Sequence, residues 1–254
     1  MKKLLGMLFA LLLAATWVPA GETVYGLPRS ETMVLGMVGD VHTLNPFLAN
    51  MRTNTSIDYF HLHDVLVHRA PDGKITPRMA ESWKRIDDLT WEFKLRDGIY
   101  SHRGEKLTSK NVKFSFEMVQ SRPEYAVYQL PEQGGLDRVD IVDDLTFRIV
   151  TKEPSGVLLY WLCESPIVPI GFFEKASDDT LAKESDGCGP YKLAKYVPND
   201  YLVLEAFDNY WGGKRAIKNL VFRVIPEESA RLNELRAGSI DFAEQISIDM
   251  ADQA

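Results

Sequence analysis

Trp91-Glu92-Phe93-Lys94-Leu95-Arg96-Asp97-Gly98 alternates large apolar with charged side chains and then stops at an Asp-Gly pair. Period-two alternation marks a strand with one face in the core and the other in water, and Asp-Gly supplies the turn that ends it. Further along, the period changes. Thr108 is placed to cap a helix by accepting a backbone N–H near Asn111, and Val112, Phe116 and Val119 then fall on one side, with Phe114 alongside. Asn111 stands where Glu or Gln would complete a full capping box. Strands and helices of this kind interleave along the chain without a strict repeat, so the fold class is mixed α/β.

Upstream, the turn-forming Leu27-Pro28-Arg29-Ser30 precedes an apolar run at 33–38 that reads as a strand. Residues 53–67 read as a helix, with Ile57, Phe60, Val65 and Leu66 as an approximate apolar face. Ala70-Pro71-Asp72-Gly73 is a turn. Downstream come a strand at 146–151 and a short apolar segment at 157–162 that suits a buried helix. Two alternating runs over 191–207 flank Pro198-Asn199-Asp200 and suggest a hairpin. A strand at 220–225 leads to a helix at 227–237, which Gly238 ends, and to a strand at 240–243. No repeat or low-complexity tract interrupts this order. The organisation shifts near Asp64 and again near Asp186, so residues 64–185 read as self-contained.

Residues 1–20 have the layout of a secretory signal: Lys2-Lys3, an apolar run over 4–15, and small residues in Val18-Pro19-Ala20. That apolar run is about 12 residues, against roughly 20 for a helix that spans a bilayer. A mature chain starting near Gly21 or Glu22, outside the cytoplasm, is the expectation. With 45% hydrophobic and 26% charged residues the remainder has ordinary globular composition. The formal net charge is −7, and loss of Lys2 and Lys3 makes it more negative. A net-negative chain without a basic stripe is a poor partner for nucleic acid or an anionic membrane.

Cys163 and Cys188 are the only cysteines. In an exported protein they can form one disulfide, closing a loop of about 25 residues and adding roughly 3 kcal/mol, or remain as two buried thiols. No catalytic signature is present: there is no nucleophile elbow, phosphate-binding glycine loop or zinc-spaced cysteine pair. His61, His63 and His68 are badly spaced for one metal ion, because residues two apart on a helix point to different sides. Asp87-Asp88 and Asp143-Asp144 precede strands and read as turn residues rather than an acid–base pair. No metal and no cofactor is expected.

Seven spaced motifs, however, occur in one order: Leu44-Asn45-Pro46; Asp72-Gly73-Lys74-Ile75-Thr76-Pro77-Arg78-Met79-Ala80-Glu81-Ser82-Trp83; the stretch from Trp91 to Gly98; residues 107–116; Gly187-Cys188-Gly189-Pro190-Tyr191; Asn209-Tyr210-Trp211-Gly212-Gly213; and Leu235-Arg236-Ala237-Gly238-Ser239-Ile240-Asp241. Together they resemble the extracytoplasmic solute-binding proteins of the peptide/nickel (oligopeptide-binding) ABC importer family. Cys188 stands where that family usually has Thr, and Arg103 where Asp is common. Trp83, Trp91 and Trp211 fit core roles, and Gly98, Gly189 and Gly213 fit turns, so the motifs are scaffold.

The resemblance implies a partial fold of the type II periplasmic-binding-protein kind. Residues 21–63 and 186–254 would form the first lobe and residues 64–185 an accessory domain, with the opposing lobe beyond Ala254. Two lobes closing on a solute would let the importer tell loaded from empty protein. In peptide-binding relatives the ligand adds as a strand, which nominates Asn50, Met51 and Arg52 just after Leu44-Asn45-Pro46. Tyr125, Glu244 and Gln245 fall where relatives bring side chains to the pocket. The implied partners are an oligopeptide or other small solute and the membrane permease subunits, with the full-length protein a monomer. Oligosaccharide or nickel-complex binding is the alternative within the family. A secreted hydrolase and a receptor-linked sensor are the alternatives outside transport.

Overall fold

The structure is a computed structural model and describes residues 23–48, 61–122, 125 and 134–251. A short hairpin, β1 (Thr23–Val24) and β2 (Leu27–Pro28), leads through a 3-10 turn at Arg29–Glu31 into β3 (Thr32–Met37). After Leu62-His63 the chain runs through β4 (Asp64–Val65), β5 (Val67–Arg69), β6 (Ile75–Pro77), β7 (Ala80–Arg85) and β8 (Thr90–Leu95). Helix α1 (Ser109–Ser121), β9 (Leu136–Ile141), β10 (Thr146–Thr151), α2 (Leu158–Leu162), β11 (Pro166–Ile167), α3 (Ile170–Phe173) and α4 (Asp178–Lys183) follow. The last part holds β12 (Tyr191–Val197), β13 (Tyr201–Ala206), β14 (Asn219–Val224), α5 (Glu228–Arg236), β15 (Phe242–Ala243) and α6 (Ile248–Ala251).

Two sheets carry most of this. Four antiparallel strands in the order β7-β8-β10-β9 use the alternation of β8 as expected. Phe93 and Leu95 point into the core, where Phe93 stacks on Phe147 at 5.4 Å, and a buried aromatic pair of this kind adds about 0.5–1.5 kcal/mol to its area burial. The opposite face carries a charged row, Lys84 to Glu92 to Arg148, with both ion pairs at 2.9 Å. Trp83, Trp91 and Trp211 are half-buried against the Phe93 core. Helix α1 starts as its sequence suggests: Thr108 accepts from Lys110 N–H, while Asn111 Oδ1 accepts from Thr108 N–H at 2.9 Å. Asn111 therefore completes the capping box that a Glu or Gln usually makes.

The second sheet has five strands in the order β12-β13-β14-β3-β15. β12 and β13 form the expected hairpin, turning at Asn199 with φ 61°. β3 runs parallel to both of its neighbours, β14 and β15. Buried on both faces, it reads as a nearly continuous apolar run. Val34 packs with Val203, Val221, Ile225 and Ile240 on one side. On the other side Met37 lies with Leu44, Leu62, Leu204 and Phe222.

Structure departs from expectation at three places. The helix expected over 53–67 has extended chain in its last part. Residues 49–60 lie outside the described residues, but Asp64–Val65 and Val67–Arg69 are strands, paired with Pro166–Ile167 and Ile75–Pro77. Two β-branched valines, Val65 paired with Pro166 and Val67 with Pro77, outweigh a loose helical period. Cys163 and Cys188 are both free thiols. Cys163 Sγ donates to Leu159 O at 3.2 Å within its own helical turn, whereas Cys188 is sealed beside Met79 Sδ, 3.9 Å away. Gly189 serves close approach rather than a turn: a Cβ there would sit 2.3 Å from His61 O, and one on Gly187 would sit 1.8 Å from Leu62 O.

A buried acid holds this crossing together. Asp64 is fully buried and accepts from Arg78 Nε, from Tyr210 Oη and Trp211 Nε1 at 3.0 Å each, and from Val65 N–H at 2.8 Å. Burial pushes its carboxyl up, against the pull of the Arg78 cation. Nearby, His102 donates from Nε2 to Gly189 O at 3.1 Å and accepts from Gly187 N–H at Nδ1, 3.3 Å away, so it is neutral. Burial lowers its pKa to about 4, and burial with His102 beside it lowers that of His63 to about 3.

Removing one partner of a buried, hydrogen-bonded ion pair costs about 3–5 kcal/mol. Asp64→Ala should therefore lose that much in urea unfolding, and a loss below 1 kcal/mol would contradict the bracing role. The histidines set a pH effect of definite sign. Their folded pKa values lie below the ordinary 6.5, so the stability they give is complete above pH 6.5 and falls as pH drops toward 4 and then 3. Between pH 7 and pH 5 the stability gap between the protein and a His63→Gln variant should narrow by about 2 kcal/mol; parallel stability curves would exclude the effect.

Candidate functional site

In an open sheet the natural ligand position lies beyond the carboxyl ends of its parallel strands. Here β14, β3 and β15 deliver three exits side by side: Ile225-Pro226, Val38-Gly39-Asp40 and Glu244-Gln245. Glu244 joins two of them. Its N–H donates to Gly36 O at 2.8 Å, and its Oε2 accepts from Val38 N–H at 3.0 Å. Gln245 follows at φ 50°, a conformation uncommon for a residue other than glycine, and its side chain is exposed.

Asp40, on the β3 exit, ties that exit to the β12–β13 hairpin. It accepts from Val41 N–H at 2.8 Å, Tyr196 Oη at 2.9 Å and Asn199 N–H at 2.7 Å. Burial and the adjacent carboxylate raise the Tyr196 phenol, which stays protonated. The rim is thus lined by two tethered carboxylates with few loose parts.

Leu44-Asn45-Pro46 is an interior device. Asn45 is buried; its Oδ1 accepts from Phe47 N–H and its Nδ2 donates to Tyr125 Oη, both at 3.1 Å. Tyr125 is equally buried, stacks on Phe47 at 5.4 Å, and also accepts from Arg122 at 3.0 Å, while Arg122 reaches Asp178 at 2.9 Å. The phenol nominated for ligand contact is thus engaged inside the protein.

Of the nominated residues, Glu244 and Gln245 sit together on the rim, and Asn50, Met51 and Arg52 lie outside the described residues. Sequence reasoning passed over Asp40, Tyr196 and Arg231. Arg231 alone left a trace, as a basic residue next to Leu232 on the buried side of α5. Asp87 and Asp143 each accept two backbone N–H bonds within their own turns, which accounts for both aspartate pairs. Among the described residues no group of three His, Cys, Asp or Glu is gathered as for a metal ion. Three surface depressions, of about 440, 380 and 120 Å³, are lined by residues between 69 and 164 and contain none of the rim residues.

Residues 74–254 match the family model for the middle region of bacterial extracellular solute-binding proteins, family 5. The chain is 28% identical over 253 residues to a probable D,D-dipeptide-binding periplasmic protein of Escherichia coli, covering 95% of this chain and 48% of that protein. It is 29% identical to the nickel-binding periplasmic protein of the same organism, covering 92% and 44%. A periplasmic binding protein from Helicobacter pylori in complex with the peptide STSA superposes with a TM-score of 0.79, at 24% identity, over 87% of this chain and 48% of that one. The chain thus spans about half the length of the curated relatives it matches.

Tyr125→Phe should lower stability by about 1–2 kcal/mol, since it leaves the buried Asn45 amide short of a partner. Chemical denaturation would measure this, and an unchanged midpoint would show that the hydroxyl has no bracing role.

Proposed function

Because the chain belongs to the family 5 bacterial extracellular solute-binding proteins, we propose that it forms the substrate-capturing part of an ABC importer and that its ligands are oligopeptides. On this reading the 1–20 leader sends the protein out of the cytoplasm, where it works as a monomer that delivers its load to membrane permease subunits. Residues 21–63 and 186–254 form one lobe with the ligand-facing rim, and residues 64–185 form an accessory domain beside it. The placement of β3 between β14 and β15 supports that division.

The observation that carries the proposal is the rim itself. Three parallel strand exits meet there, two carboxylates are fixed by backbone donors, and the family match covers the exits of β14 and β15. Glu244 and Gln245, with Asn50, Met51 and Arg52, contact the ligand. Tyr125 acts indirectly, by bracing Asn45. The edge strand β15 suits an extended peptide, whose backbone can pair with it. A nickel complex is the second reading, favoured by the nickel-binding relative.

Titrating the tetrapeptide Ser-Thr-Ser-Ala into isotopically labelled protein should shift the amide signals of Val38, Glu244 and Gln245 and leave those of β7 and β8 in place. A nickel–histidine complex should shift none of them. Rim shifts with the nickel complex and none with peptide would replace the first reading by the second.

A further inference from the structure

Arg231 is 3% exposed, and its guanidinium is spent on four main-chain oxygens. Nη1 donates to Ile225 O and Pro226 O at 2.7 Å each, Nε to Glu244 O at 2.9 Å, and Nη2 to Gln245 O at 3.2 Å. The first two oxygens lie at the exit of β14 and the last two at the exit of β15. These strands do not pair with each other, because β3 runs between them. A single side chain therefore spans the full width of the rim from underneath.

We infer that Arg231 is a positioning residue for this rim: it fixes the β15 exit against the β14 exit and, through the Glu244 main chain, aims the carboxylate that holds Val38. The inference rests on reading the rim as ligand-facing. A charged group is buried here at considerable cost, and the four carbonyls supply the polar surroundings that make it tolerable. The geometry needs a planar fork of donors. Lysine has a compact ammonium with three donors and cannot address two separated chain segments in the same way. Gln245 follows from the same contact. Its left-handed backbone turns the carbonyl inward to Arg231, and its side chain remains on the exposed side. The chain of dependence then runs from Arg231 to Glu244, to Val38 and so to the start of the loop that carries Asp40.

Amide hydrogen exchange on the 254-residue chain without ligand tests this. In Arg231→Lys, the amides of Val38 and Glu244 should exchange at least about tenfold faster, while amides of the β12–β13 hairpin keep their rates. Ser-Thr-Ser-Ala should bind at least about tenfold more weakly, a change worth 1.4 kcal/mol. Glu244→Ala, which leaves the carbonyl bonds to Arg231 intact, should speed Val38 but not the residue-244 amide. Arg231→Met should exceed Arg231→Lys in each effect; if it does not fold, the lysine variant carries the test. Uniform acceleration across the hairpin would reduce Arg231 to a general stabiliser, and unchanged rates at Val38 and Glu244 would overturn the inference. If the unmodified protein binds no peptide, the functional reading falls on that result, and the exchange rates alone judge the clamp.

Discussion

Everything in this molecule turns about a carboxylate that water cannot reach. Asp64 collects a guanidinium, a phenol, an indole N–H and a main-chain N–H from positions spread between 65 and 211. A bare carboxylate so deeply buried would be prohibitively costly, and four donors make it a strong tie instead. Arg78 comes from the turn before the four-stranded sheet, and Tyr210 and Trp211 from the loop before β14. The two sheets are therefore fastened through a polar centre, beside a packed core that contains Cys188 and Met79. Such a centre demands one arrangement, since a half-satisfied version would leave a charge unpaired.

The rim gains its definition from that rigidity. Its three strand exits are only as well placed as the sheet beneath them, and β3 is gripped on both faces by apolar clusters. On this base the local ties at Asp40 and Glu244 fix the backbone at the exits of β3 and β15. The family's recognisable motifs mostly lie away from the rim, several of them in the core of the four-stranded sheet. Asp241 illustrates this: it receives a two-pronged contact from Arg29 and a bond from Val34 N–H, all at the opposite end of β3 from Glu244.

Features that depend on neighbouring residues were legible in the sequence. The alternation at 91–95, the cap at Thr108 and the hairpin about Asn199 are local, and each is present in the fold. Features that depend on distant partners were not. Asp64 showed only as a point where the organisation shifts, because its donors lie far along the chain. The segment after it resembled a helix until its pairing with Pro166–Ile167 made it a strand. At the rim, Glu244 and Gln245 could be nominated because they follow a recognisable motif. Arg231 could not, because a basic residue in a short helix ordinarily faces water. The two cysteines showed the same limit, as spacing alone cannot tell a bridge from two thiols in separate surroundings.

Gly187 and Gly189 have a mechanical consequence. Where these residues pass the carbonyls of His61 and Leu62, the two chain segments are separated by no more than hydrogen atoms. Such a junction leaves no room for a side chain, so these two segments are held tightly against each other. Any bending between the two sheets falls more easily in chain other than these two segments.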